Sequence, residues 1–232
     1  MGRSMMLAGG RRGSVGWWLL VIVATLVAVG ILILPATRRG VPEAARRTAC
    51  ANNLKRIGAA LRAYVDEHGS LPPAFTVDAD GLPLTSWRVL LLPYLDEALP
   101  PPSIDPANPE ATPHVFRCPS ARLGPGMTTY QLVVSPDGLV RPDGSATREE
   151  LAAADPRTVL VIDVPASRAV PWMSPEDSAS AVLAAGPTGS HLEGVMALRA
   201  DGSVQPVYLE DFSPAERRSF VTPAADDPPS GD

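Results

Sequence analysis

The stretch Trp17 to Leu34, WWLLVIVATLVAVGILIL, constrains the chain more than any other, because eighteen consecutive residues lack a charge. At 1.5 Å rise per residue a helix of that length spans about 27 Å, close to the roughly 30 Å hydrocarbon thickness of a bilayer. A transmembrane helix over 17–34 is therefore expected, with 1–16 as a cytoplasmic N-terminal segment. A cleaved signal peptide is the alternative, but its apolar core usually runs only about 7 to 15 residues, and Leu34-Pro35-Ala36 is a poor cleavage site. Arg3, Arg11 and Arg12 precede the span and Arg38, Arg39, Arg46 and Arg47 follow it, so the balance of cations leaves orientation open.

Two cysteines, Cys50 and Cys118, bear on that question. Their spacing matches neither a zinc site nor a redox CxxC, so no metal is expected. A disulfide closing a loop of roughly 70 residues would stabilise by about 4 kcal/mol in the chain-entropy model and would persist only in an oxidising compartment. The alternative is two buried thiols. A disulfide implies an inner-membrane protein whose C-terminal domain lies outside the cytoplasm.

Beyond the span the pattern is α+β. Pro35, Gly40 and Pro42 predict a bend or break, and Pro42-Glu43 suits the first turn of a second helix. Cys50, Leu54, Ile57, Leu61, Tyr64 and Val65 form its apolar stripe, and Gly69 with Pro72-Pro73 ends it. Trp87 to Leu95 reads as a short buried segment anchored by Trp87, and the proline-rich 99–113 as a surface loop. Strands are expected from Thr128 onward, with turns at Ser135 to Gly138 and Pro142 to Gly144 and a buried strand from Thr158 to Val164. Thr147 with Glu150 and Ser213 with Glu216 are capping boxes, and Ser174 is a further helix cap. Val195–Arg199 and Ser203–Leu209 should pair about Ala200-Asp201-Gly202, with Pro206 placing the second strand at an edge. An extracytoplasmic domain is thus expected over 43–221, with a disordered tail over 222–232.

Several of these segments also form a familiar series: Ile31 to Ala36, Glu43 to Cys50, Asn52 to Gly58, Leu71-Pro72-Pro73, Ser86 to Leu95, and Phe116 to Ser120. It continues through Ala169 to Trp172 and Pro175-Glu176-Asp177, and closes on His191, nine residues, then Asp201-Gly202. The chain resembles a large bacterial family of pseudopilin-like proteins whose domain has no assigned function. That resemblance implies a pilin-like fold, in which a transmembrane and amphipathic N-terminal helix carries an antiparallel β-sheet head. It also implies a structural or assembly role in a type II secretion-like or pilus-like system, with self-association or other pseudopilin subunits as partners. His191, Asp201 and Gly202 then carry the family's H-x9-D-G motif, and Gly16-Trp17 would be the processing site. Val21 stands where prepilin-type precursors carry Glu.

The pattern argues against several other classes. A net charge of −5 disfavours nucleic-acid binding. Gly124-Pro125-Gly126 lacks the lysine of a phosphate loop, so nucleotide binding is not expected. No GxSxG elbow accompanies His191, and no cofactor or catalytic residue is expected. Asp78, Asp80, Asp137, Asp143, Glu149, Glu150, Glu176 and Asp177 lack EF-hand spacing and read as solvated carboxylates. A membrane-anchored domain that binds a ligand or partner on its own is the alternative to the assembly role.

Overall fold

The computed structural model describes residues 14–38, 43–95, 112–142, 144–177, 179–185 and 194–222. Of the expected surface loop over 99–113, residues 99–111 lie outside these residues, while Thr112 and Pro113 are described and buried; residues 223–232 of the expected 222–232 tail and His191 also lie outside them. Two units are distinct, 1–42 and 43–232.

In the first unit, helix α1 runs Ser14–Arg38. It continues through Pro35, so the expected break does not fall there, while 39–42 lie outside the described residues. Its side chains are described over 17–29, all exposed, from Trp17 at 69% to Val21 at 40%. Thr25, the one hydroxyl in that stretch, donates a hydrogen bond to the Val21 carbonyl at 2.8 Å. Among the described residues no helix is long and apolar enough to cross a membrane.

The second unit opens with α2, Glu43–His68. Glu43 sits in its first turn and accepts from Arg46 Nε at 2.8 Å, where a carboxylate suits the positive end of the helix dipole. Cys50, Leu54, Ile57, Leu61 and Val65 are buried along one face, as their spacing predicts. Gly58 lies on that face too, and a Cβ there would come within 2.8 Å of Leu198 Cδ1, so the missing side chain lets the helix approach the sheet. Gly69, at φ 78°, closes the helix by donating to the Val65 carbonyl.

Next come hairpin strands β1 (Phe75–Val77) and β2 (Pro83–Ser86), then the short helix α3 (Trp87–Leu90). Strands β3 (Met127–Thr128) and β4 (Tyr130–Leu132) follow, then the small hairpin β5 (Val140–Arg141) and β6 (Gly144–Ser145). Thr147 and Glu150 form the expected capping box of α4 (Arg148–Ala153). After β7 (Val159–Asp163) and β8 (Val170–Pro171) come α5 (Ala179–Ala185), β9 (Val195–Arg199) and β10 (Val204–Val207). The last helix, α6 (Pro214–Ser219), carries the capping box of Ser213 and Glu216.

The central sheet is antiparallel in the order β10-β9-β7-β4. Pro206 occupies edge strand β10, where its missing N–H leaves no central ladder position empty. Both faces are covered. Met196 and Leu198 join the core that includes Leu54, Ile57 and Leu61 of α2, whereas Val195 and Ala197 join Val182, Leu183 and Phe220. This alternation is the period-two consequence of strand geometry. It slips in β7, where a register irregularity between Val159 and Val161 accompanies Leu160 and Val161 facing the same core. The described residues therefore form an α+β architecture on antiparallel sheets.

Ser174 departs from its expected role. Its hydroxyl accepts from Glu176 N at 3.2 Å, and the following helix starts only at Ala179. The chain turns here instead of starting a helix because Asp177 is drawn into the interior.

Candidate functional site

Asp177 and Arg88 build the first buried polar centre. Ser86 caps α3, and its oxygen accepts from Arg88 N at 3.3 Å and from Arg88 Nη1 at 2.8 Å. Arg88 Nε and Nη2 both donate to the Tyr130 carbonyl, at 2.9 and 2.8 Å, and Nη1 also reaches the Ser174 carbonyl at 3.4 Å. Arg88 Nη2 meets Asp177 Oδ1 at 2.5 Å, and Trp87 Nε1 donates to the other oxygen at 3.0 Å. A guanidinium with no exposed surface survives here because each of its nitrogens has an acceptor. Burial pushes the Asp177 carboxyl up to about 6, against the pull of Arg88 and Trp87. Burial likewise lowers Arg88, opposed by Asp177. Asp177 is thus not the solvated carboxylate its sequence suggests; its side chain is 2% exposed and clamps α3, β4 and the 174–177 turn together.

The second centre joins the two cysteines. Cys50 from α2 and Cys118, which follows the 3-10 turn His114–Phe116, form a disulfide with Cα atoms 5.3 Å apart. The thiol alternative is therefore set aside. Asn53, one turn after Cys50, donates to the Arg117 carbonyl at 3.0 Å and to the His114 carbonyl at 3.5 Å. Ser120 donates to Glu43 at 2.8 Å, so the Cys118 loop is tied to α2 on both sides of the sulfur. Asp163, the last residue of β7, lies against the same disulfide, with Oδ2 2.9 Å from Cys118 Sγ. Burial and the nearby Asp163 both raise the neighbouring Tyr130 phenol well above its ordinary value, while Asn53 opposes them. A pocket of about 510 Å³ opens beside Asn53, His114 and Cys118.

The motif residues fall elsewhere. Asp201 and Gly202 make the β9–β10 turn: Asp201 Oδ1 accepts from Ser203 N at 2.7 Å, and Gly202 adopts φ 81°. A Cβ at Gly202 would lie 1.9 Å from Arg62 Nη1, so glycine answers both to the turn and to the guanidinium resting on it. Asp201 also borders a pocket of about 330 Å³ with Arg62, Arg148 and Leu151. His191, its expected motif partner, lies outside the described residues, and Gly16 and Trp17 fall inside the continuous helix α1.

The framework of α2, the Trp87-Arg88 clamp and the Cys118 loop lies within residues 41–159, which match the model of a family described as protein of unknown function (DUF1559). The chain belongs to this family. No curated protein and no solved structure matches the chain. The DUF1559 match takes in both cysteines and Arg88, whereas Asp163, Asp177 and the Asp201-Gly202 turn lie beyond its end.

Sequence reasoning pointed to the cysteines and the turn but missed Arg88, Asp163 and Asp177 as buried groups. For Arg88 and Asp163 the available signal was their setting in apolar runs, WRVLLL and VLVID, which a lone charge enters only with a partner; Asp177, in the polar stretch SPEDSAS, carried no such signal.

Proposed function

We propose that this DUF1559 protein is a single-pass, membrane-anchored, pseudopilin-like structural or assembly component of a secretion- or pilus-like system, without catalytic activity of its own. One observation carries the reading: every described side chain of α1 over 17–29 is exposed and none is charged. A helix apolar all round calls for an apolar surround, and the run continues to Leu34 in the sequence. Supporting it, the Cys50–Cys118 disulfide suits an oxidising compartment, in line with a head outside the cytoplasm and an N-terminus inside. The bilayer is the first partner under this reading, and copies of the chain or related subunits the next. Ala24 and Ala28, on the helix between them, would permit close helix approach.

The pocket bordered by Asp201, Arg62 and Arg148 favours a second reading, an anchored domain that captures a ligand alone. Intact mass spectrometry of the membrane-extracted chain separates the two. An N-terminus at Trp17, together with crosslinks between α1 helices, supports assembly; an uncleaved chain that never crosslinks to another subunit overturns it and leaves the stand-alone domain.

A further inference from the structure

The disulfide has an unusual neighbour. Asp163 is fully buried, and its Oδ2 stands 2.9 Å from Cys118 Sγ. A disulfide sulfur carries no hydrogen, so in the oxidised chain this contact sets two electron-rich atoms against each other. In the dithiol the Cys118 S–H can donate to that oxygen, and with a cation between them all three groups become ligands. The ligand atoms of Cys50, Cys118 and Asp163 lie within 4.8 Å of one another, on three separate elements: α2, the loop after His114–Phe116, and β7. We propose that, once the disulfide is reduced, these three side chains form a binding site for a divalent cation of the zinc class.

The donor set selects the metal. Two thiolates and one carboxylate bring three negative charges to a dry site, which favours a borderline-soft cation over calcium or magnesium, whose preferred ligands are all oxygens. Three protein ligands leave a tetrahedral ion one further position. Cys118 also borders the adjoining pocket of about 510 Å³, which His114 lines.

The site is arranged to outlast the loss of the S–S bond. Asn53 holds the Arg117 carbonyl, and Ser120 holds Glu43, so the Cys118 loop remains on α2 when the sulfurs part. Val115 and Phe116, both fully buried, fix the same loop in the core. Asp163 is held by β7, where it pairs with Tyr130 of β4. Reduction by a dithiol, itself converted to a disulfide, delivers two electrons and two protons and leaves two thiols. Metal binding then releases the thiol protons, so affinity rises with pH. Disulfide and metal are alternative staples for the same three elements, one for oxidising and one for reducing conditions.

The test uses the full chain in detergent, reduced with a phosphine, freed of reductant without air and titrated with cadmium as a probe. The expected result is one cadmium per chain, with a thiolate-to-cadmium charge-transfer band in the ultraviolet that zinc displaces. Cys118→Ser should abolish the band. Asp163→Asn, which keeps the disulfide and whose fold is checked in the oxidised state, should weaken binding at least about tenfold, a loss seen even for outer-shell partners. A folded reduced chain that takes up no cadmium overturns the proposal, as does binding indifferent to Asp163→Asn. If reduction unfolds the chain, recovery of the fold on adding metal supports the site and failure to recover refutes it.

Discussion

Helices α1 and α2 are almost the same length, 25 and 26 residues, yet they solve opposite problems. Along α2 the apolar residues keep to one stripe, and Leu54, Ile57 and Leu61 disappear into the core while Arg62 and Asp66 stay in water. Along α1 apolar residues surround the axis, and Leu19, Leu20, Ile22 and Leu26 remain more than half exposed. Within its own unit α2 has a partner, the sheet, whereas the described side chains of α1 are all exposed. Equal helical length says little about where a helix belongs; the angular spread of its apolar side chains says whether its surround is protein on one side or an apolar medium on all.

The head is most sensitive at its buried ion pair. Removing Asp177 (Asp177→Ala) leaves Arg88 charged and buried, which should destabilise the head by about 3–5 kcal/mol in chemical denaturation without changing membrane retention. Leu54→Ala should cost about 2–5 kcal/mol by the same measurement, whereas Leu26→Ala, its counterpart on α1, should leave head stability within about 0.5 kcal/mol. Leu26→Arg reverses the pattern: a charge at the centre of a span costs about 2.5–3.5 kcal/mol on insertion, so the membrane fraction should fall while the head's denaturation midpoint holds. Equal effects of the two leucine truncations on the head would mean that α1 packs like α2. Gly202→Ala, at the β9–β10 turn, should cost only about 1–2 kcal/mol for the left-handed backbone, since Arg62 can swing aside.

Asp177 also sets a pH dependence confined to the head. Its folded value of about 6 exceeds its ordinary 3.8, so between those values the native state holds a proton that the unfolded chain has released. The group's contribution is therefore full below the lower value and is lost as pH rises through the upper one, giving a falling stability limb over that window. Denaturation curves across it should show this limb in the native chain and not in Asp177→Asn.

How far the sequence revealed the molecule follows the range of the interactions involved. The α2 stripe, the two capping boxes and the Asp201-Gly202 turn depend on residues a few positions apart, and they appear where they were expected. The Arg88–Asp177 pair joins residues 89 positions apart, so local pattern could not reveal it. That pair in turn defeated the Ser174 cap, because Asp177 must point inward at Trp87 and Arg88 instead of opening a helix. Asp163 was hidden for another reason. The strand VLVID is buried throughout, so alternation does not tell which face a residue takes, and the irregularity between Val159 and Val161 shifts the phase before Asp163 is reached. The cysteines were visible as a pair, but their carboxylate neighbour was not.

Under the proposed function, α1 would hold this disulfide-stapled head to a bilayer. Alkaline carbonate extraction of cell membranes, followed by immunoblotting of pellet and supernatant, tests it most directly. The account predicts that the chain stays in the pellet, and that a variant lacking 1–34 does not. Release of the full chain into the supernatant would contradict it.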